Sequence, residues 1–304
     1  MAKKNLISVL DMKDEWPDLV ELSVKLKAER GNHGAPLKGK TLAMMFEKPS
    51  TRTRISFDVA MTELGGHALY IDIPSMQMGH GETVEDTAKV MSRFVHAIMY
   101  RAFDYKIMDK VGDSATIPVI SGLDNLEHPC QALADMLTVK EKKGSFRGRK
   151  LVYLGDGNNV CNSLLYASAI VGLDMVACCP ATRMPNAEIM LNASRIADAN
   201  GSSISASHNP LEACKDADIL YTDTWVSMGD ETPVEKAVKI FQMYQINDDL
   251  LALAKPDCIV MHCLPAHRGQ EITAEVMDGP QSVVFDQAEN RLHAQKAVLY
   301  TLLR

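Results

Sequence analysis

No stretch of this sequence stays apolar long enough to cross a bilayer, and none of its seven cysteines falls in a C-x-x-C pair. The first absence excludes helical membrane spans. The second, with an odd count and scattered spacing, speaks against a zinc ribbon or a disulfide frame and for free thiols in a reducing compartment. Basic residues are also in short supply: 32 Lys and Arg stand against 39 Asp and Glu, a net charge of −7. That balance excludes a general nucleic-acid surface, so any anion site must be local. The opening run MAKKNLISVLDM has two lysines but meets Asp11 and Lys13 before an apolar core develops, so a secretory signal is not expected. There is no internal repeat and no low-complexity tract. The expected setting is the cytoplasm, with no membrane and no nucleic-acid partner.

What is present is an ordinary globular composition, 46% hydrophobic and 23% charged, over 304 residues. That length suits two domains. Short apolar runs recur with little polar alternation, as strands buried on both faces of a parallel sheet do. The candidates are Leu42–Phe46, Ala68–Ile71, Ala97–Tyr100, Pro118–Ile120, Leu151–Leu154, Met175–Cys178, Ser203–Ser207, Ile219–Thr222, Cys258–Met261 and Ser282–Phe285. Helical patterns fill the gaps: about Asp14–Arg30, Glu85–Phe94 with Thr83 as cap, a helix begun by Asn186, and Glu289–Leu303. Such alternation predicts an α/β protein of two doubly wound domains, each a mostly parallel sheet flanked by helices. The polar, glycine-punctuated KEKKGSFRGRK, Lys140–Lys150, marks the boundary, giving domains 1–143 and 144–288.

Five segments carry chemistry. In FEKPSTRTRISF, Phe46–Phe57, a strand gives way to a helix with Ser50 near its N-cap. Free backbone N–H groups and cationic side chains at a helix start suit a phosphate. Arg52 and Arg54 lie about 200° apart on a helix, so one is expected on the anion and the other on an acidic neighbour; the alternative is a well-capped helix with surface charges. In EHPCQALADM, Pro129 sets a helix start, with His128 just before it and Gln131 in its first turn. Both could donate to a carbonyl oxygen above the sheet's carboxyl edge, or His128 could simply be a hydrogen-bonded cap. LVYLGDGNNVCNS reads strand, Gly-x-Gly, helix and invites a dinucleotide reading, weakened by Val160 at the third glycine position. Its amides, Asn158 and Asn159, could instead bind a small polar ligand. In TDTWVSMGDE, Asp223 stands at a strand's carboxyl end, where it could hold an ammonium, before a loop of Ser227, Met228 and Gly229. In MHCLPAHRGQEIT, Cys263 stands at another such edge, with a cis Leu264–Pro265 peptide suggested. The spacing of His262, Cys263 and His267 fits no zinc pattern.

Together, STRTR at 50–54, HPCQ at 128–131, GDGNN at 155–159, DTWVSMG at 223–229, HCLP at 262–265 and AENRLHAQK at 288–296 resemble, in order, the signature segments of the aspartate/ornithine transcarbamylase family, and specifically its ornithine carbamoyltransferases. The likeness spans nearly the whole chain. STRTR and HPCQ alone indicate a transcarbamylase; the SMG and HCLP pieces select ornithine. Ser121 and Cys161 stand where the family more often has Asn and a small residue such as Ala.

The resemblance implies a carbamoyl-phosphate domain, onto which a C-terminal helix at about 289–304 packs back, an ornithine domain, and an active site in the cleft between them that closes over its substrates. It implies that Ser50, Thr51, Arg52, Thr53 and Arg101 hold the phosphate, that His128 and Gln131 bind the carbamoyl end, and that Arg291 lies near the carbamoyl oxygen. Gln77 would reach an adjacent subunit's site, since the family forms trimers with shared sites. Asn159, Asp223, Ser227 and Met228 would bind ornithine, with Cys263 and Leu264 beside the reacting groups. Arg52, Arg101, His128 and Cys263 would be the catalytic set. No cofactor and no metal is expected, and arginine biosynthesis is the expected setting. Rival readings are a transcarbamylase for aspartate, N-acetylornithine or putrescine, a dinucleotide-dependent dehydrogenase, and a non-catalytic anion sensor.

Overall fold

The computed structural model describes residues 3–73, 81–226 and 232–304. The chain forms two compact units, the first comprising Met1–Leu137 with Glu289–Arg304 and the second Thr138–Ala288.

Unit 1 is built on a parallel sheet in the order β2-β1-β3-β4, with β1 Thr41–Phe46, β2 His67–Asp72, β3 Ala97–Arg101 and β4 Val119–Leu123. Strands β3 and β4 are buried throughout and β1 nearly so, which is why they read as unbroken apolar runs. Strand β2 is a half-exposed edge. The helices are α1 Trp16–Ala28, α2 Thr51–Glu63, α3 Val84–Phe94, α4 Tyr105–Ser114 and the first part of α5 Pro129–Lys143. Thr83 caps α3 by accepting from the Asp86 N–H at 3.1 Å.

Unit 2 is built on a second parallel sheet, order β7-β6-β5-β8-β9, with β5 Lys150–Leu154, β6 Asp174–Cys178, β7 Ile204–Ser207, β8 Ile219–Thr222 and β9 Ile259–His262. Its helices are α6 Asn159–Val171, α7 Ala187–Asn200, α8 Pro210–Ala213, α9 Val234–Phe241, α10 Asp248–Leu251, α11 Ala274–Met277 and the first turn of α12 Val284–Leu303. Asn186 caps α7 through the Glu188 and Ile189 N–H groups. The rest of α12 belongs to unit 1, where buried Lys296 meets Glu63 and donates to His33 Nε2 at 3.1 Å, and Lys27 donates to Asn290 at 2.8 Å. Burial, and then the Lys296 charge, depress the His33 pKa, so its ring stays neutral and can accept that proton.

One expected strand is absent. Ser282 makes a single bridge to Val260, and the chain then enters α12. Its β-branched SVVF run has the strand composition, but Val284 packs into the unit 2 core while Phe285 is exposed. That is one face of a helix, not a strand buried on both sides, and α12 accordingly begins five residues before the expected Glu289.

In each sheet the strand order reverses once, between β1 and β3 and between β5 and β8. The crevice outside the carboxyl ends of such strands is where open α/β sheets hold ligands.

Candidate active site

In unit 1, the chain leaves β1 and turns into α2 at Ser50, whose side chain accepts from the Thr53 N–H at 3.4 Å. The first N–H groups of α2 therefore face outward beyond the strand end, with the positive pole of the helix behind them. Thr53 is buried, and its hydroxyl oxygen gathers donors. Ser50 Oγ lies at 3.1 Å, Arg101 Nη1 at 3.4 Å and Arg291 Nη2 at 3.4 Å. Arg101 is the last residue of β3 and also donates to the Gly122 carbonyl at 3.4 Å. Arg291 donates through Nη1 to Gln131 Oε1 at 2.7 Å, and Gln131 Nε2 donates to Asp135 at 2.8 Å.

His128 is buried immediately before Pro129, and its carbonyl accepts from the Gln131 and Ala132 N–H groups. Burial first, then the charges of Arg291, Arg101 and Arg52, push its pKa well below the usual imidazole range. The ring is therefore neutral at ordinary pH and can donate an N–H to an oxygen without adding charge. Beside it, the buried Cys130 thiol is pushed up to about 12 and donates to the Ser121 carbonyl at 3.4 Å, which makes it an inert packing group. Three guanidinium groups, a helix start and a neutral imidazole thus concentrate positive potential at one sheet edge of an acidic protein. Arg54 departs from expectation: its guanidinium lies 3.9 Å over the ring of Tyr70, a cation–π contact in place of an acidic partner.

In unit 2, Asp223 follows β8 and is buried. Its Oδ1 accepts from the Cys263 thiol at 2.9 Å and the Thr224 N–H at 2.7 Å, and its Oδ2 from Asn158 Nδ2 at 2.8 Å. Asn158, not Asn159, is thus the amide seen to orient the carboxylate. Its Oδ1 also caps α6 by accepting from the Val160 and Cys161 N–H groups at 3.0 and 3.1 Å, and from the Tyr153 hydroxyl at 3.2 Å. Asn159 opens α6 beside it. That cap occupies the N–H groups a pyrophosphate would need, so this Gly-x-Gly turn is not a dinucleotide cradle. The glycines have local reasons. Gly155 sits at φ +134°, and a Cβ on Gly157 would fall 2.2 Å from the Pro185 nitrogen.

Cys263 and Leu264 follow β9, Leu264 with φ +60° and a cis peptide to Pro265. Ligand atoms of Asp223, His262 and Cys263 lie within 4.8 Å of one another. Both His262 ring nitrogens, however, are taken by the Leu264 N–H at 2.8 Å and by Glu271 at 3.1 Å, so the ring offers no lone pair to a cation. Of the expected site residues, Gln77, Ser227 and Met228 lie outside the described residues. Ser50, Thr51, Arg52, Thr53, Arg101, His128, Gln131 and Arg291 belong to unit 1, and Asn159, Asp223, Cys263 and Leu264 to unit 2. Asn158 was expected only as a ligand-binding amide beside Asn159, not as a support for Asp223, and the His262–Glu271 pair was not singled out. Asn158 had a sequence signal as one of two amides at a helix start, whereas nothing in the spacing of His262 and Glu271 marks them.

Comparison with known proteins agrees with this geometry. Residues 4–141 match the family described as aspartate/ornithine carbamoyltransferase, carbamoyl-P binding domain, and residues 147–302 the corresponding Asp/Orn binding domain. The ornithine carbamoyltransferase of Methanobrevibacter smithii is 54% identical over 300 residues, 99% of each chain. A catabolic ornithine carbamoyltransferase of Thermoplasma volcanium is 50% identical over 303 residues, covering 100% of this chain and 99% of its own. Among solved structures, ornithine carbamoyltransferase from Pyrococcus furiosus superposes with a TM-score of 0.95 at 50% identity, covering 99% of this chain and 97% of that one.

Proposed function

We propose that this chain, which belongs to the aspartate/ornithine carbamoyltransferase family, transfers the carbamoyl group of carbamoyl phosphate to the δ-amine of L-ornithine, giving L-citrulline and phosphate. The observation that carries the reading is the convergence of the α2 start with Arg52, Arg101 and Arg291 around a neutral His128. The site fits a dianionic phosphate bearing a carbonyl. Ser50, Thr51, Arg52, Thr53 and Arg101 take the phosphate, and His128 and Gln131 take the carbamoyl group, whose oxygen Arg291 also faces. Asp223, oriented by Asn158 and the Thr224 N–H, takes the amine side with Asn159, Ser227 and Met228.

The chemistry follows from these placements. The neutral amine attacks the carbamoyl carbon, the carbon–nitrogen bond forms, and charge builds on the carbamoyl oxygen. Thr53, Arg101 and His128 stabilise that oxyanion as preorganised donors. The bond to the phosphate oxygen then breaks, phosphate leaves with the electron pair, and one amine proton is released. Arg52 and the helix start stabilise the leaving phosphate. Holding donor and acceptor together supplies up to about 7–11 kcal/mol of the barrier reduction.

The active species is a homotrimer. Its support is the concentration of exposed large apolar residues on α2, β2, α3 and the turn after β3 of unit 1, where Phe94 is 75% and Ile55 56% accessible, alongside Leu69, Tyr70, Val90 and Phe103. The compartment is the cytoplasm: all seven cysteines are free thiols, six of them buried. Among the described residues no helix is long and apolar enough to cross a membrane. Arginine biosynthesis is the setting this reading favours for citrulline formation, and the rates of citrulline formation and of its phosphate-driven reversal test it.

The test is product formation from carbamoyl phosphate with L-ornithine, L-aspartate, N-acetylornithine and putrescine as parallel acceptors. Citrulline alone is expected; carbamoylation of another acceptor in its place overturns the assignment.

A further inference from the structure

His262 ends β9 fully buried, and its environment fixes both the position and the tautomer of the ring. Its backbone N–H donates to Gln287 Oε1 at 2.8 Å, and Gln287 Nε2 donates to the Tyr221 hydroxyl at 3.2 Å. Its Nδ1 accepts from the Leu264 N–H at 2.8 Å, so Nδ1 carries no proton. The proton of the neutral ring is therefore on Nε2, which faces Glu271 Oε1 at 3.1 Å. Glu271 is itself fully buried, and the same oxygen accepts from the His267 N–H at 2.5 Å. Imidazole and carboxylate thus grip the turn from His262 to His267 at two backbone N–H groups.

What lies inside that grip is the reactive edge of unit 2. Leu264 sits at φ +60°, a conformation that leucine avoids because its Cβ crowds the backbone, and one that persists only where the surroundings hold it. Between His262, whose N–H Gln287 holds, and the gripped Leu264 stands Cys263, whose thiol lies 2.9 Å from Asp223. Neither His262 nor Glu271 hydrogen-bonds Asp223 or the Cys263 thiol directly.

We propose that His262 and Glu271 are a positioning pair for carbamoyl transfer: the carboxylate fixes the imidazole as the Nε2-protonated tautomer, and its free Nδ1 holds the Leu264 N–H. The pair thereby sets where the Cys263 thiol and the Leu264 carbonyl meet the substrates. The inference rests on the ornithine carbamoyltransferase reading of this site. A pair serving only the unit 2 core would leave the kinetics untouched while the protein stayed folded.

Glu271→Ala and Glu271→Gln distinguish these roles. The glutamine keeps an acceptor oxygen for the imidazole and the His267 N–H, so it retains kcat and the ornithine KM within about threefold of the parent. The alanine frees the ring, and with reacting groups misplaced by an ångström or so it loses about 10²-fold in kcat. Its inhibition constant for inorganic phosphate stays at the parental value, because the phosphate residues belong to unit 1. A crystal structure of Glu271→Ala shows Leu264 away from φ +60°. Parental kcat in a folded Glu271→Ala, equal losses in the alanine and glutamine variants, or phosphate binding lost in step with kcat overturns the proposal. Should Glu271→Ala not fold, His262→Asn carries the same test, with kcat expected to drop at least about tenfold and parental turnover refuting it. A parent that forms no citrulline would unseat the activity itself, while the Leu264 backbone in the variant crystal would still report on the grip.

Discussion

Arg291 donates from Nη1 to Gln131 Oε1 at 2.7 Å while its Nη2 lies 3.4 Å from Thr53 Oγ1. Thr53 stands in the first turn after β1 and Gln131 in the first turn of the helix after β4. One side chain from near the C-terminus therefore ties together two helix starts that are 78 residues apart in sequence. Only a planar, forked guanidinium satisfies both acceptors.

Arg291→Lys, with a single ammonium, should therefore fail almost as badly as Arg291→Ala. Both should lower kcat/KM for carbamoyl phosphate by about 10²-fold, the scale of one lost oxyanion donor. Arg291→Ala, unlike the charge-conserving lysine, also alters His128. Arg291→Ala removes a positive charge that helps depress the imidazole pKa, so that pKa rises toward its ordinary value. The acid limb of the pH–rate profile should move to higher pH. An unmoved limb would remove Arg291 from the electrostatics of His128.

Asp223 is held by three donors, all of unit 2, so its replacement should weaken ornithine use and spare carbamoyl phosphate binding. Asp223→Ala should raise the ornithine KM at least about tenfold, the range expected when a charge-assisted contact is lost. Carbamoyl phosphate binding, followed by equilibrium titration, should change little. An unchanged ornithine KM would dismiss the carboxylate from recognition.

Asp124 gives a pH-dependent stability. Burial raises its pKa to about 6 from an ordinary value of 3.8, although its Oδ1 accepts from the Leu126 and Glu127 N–H groups at 2.8 Å. A group whose folded pKa is raised contributes fully below its unfolded pKa, and that contribution is lost as pH rises through the folded value. The window is thus about pH 4–6, and the cost above it is of order 1–3 kcal/mol. Asp124→Asn keeps an acceptor oxygen and should be more stable than the parent at pH 8 but not at pH 4. Denaturant titrations at the two pH values check this; equal differences at both would contradict it.

Gly157→Ala places a Cβ 2.2 Å from the Pro185 nitrogen and 2.4 Å from the Met184 carbonyl carbon. Backbone atoms cannot swing aside as a side chain would. The variant should lose about 1–3 kcal/mol, as overpacking does, and should use ornithine less well, because Gly157 leads directly into Asn158. Thermal unfolding together with the ornithine KM reads both effects.

The parallel architecture was legible because buried parallel strands announce themselves as unalternating apolar runs, as LVYL and ILYT do here. The Ser50 cap, the His128–Pro129 helix start and the placement of Asp223 at a strand end follow from local rules. Contacts between distant segments did not. SVVF at 282–285 has strand composition, and only packing shows that its second valine is buried while Phe285 is exposed. Arg54 was expected on an acid, but the neighbouring strand presents the ring of Tyr70. Asn158 and Asn159 are equivalent on paper; the cap geometry of α6 turns the first toward Asp223. Lys296 and Glu63, 233 residues apart, and His262 with Glu271 are ordinary charged or polar residues until the fold buries them together.

The most direct measurement uses [13C]carbamoyl phosphate and ornithine labelled with 15N at the δ position. Carbon and nitrogen NMR of the reaction mixture should show a one-bond 13C–15N coupling in the product as phosphate appears in equal amount. The account predicts that coupled citrulline signal. Release of phosphate with the 13C label unbound to the δ-nitrogen, or attached to another amine, would contradict it.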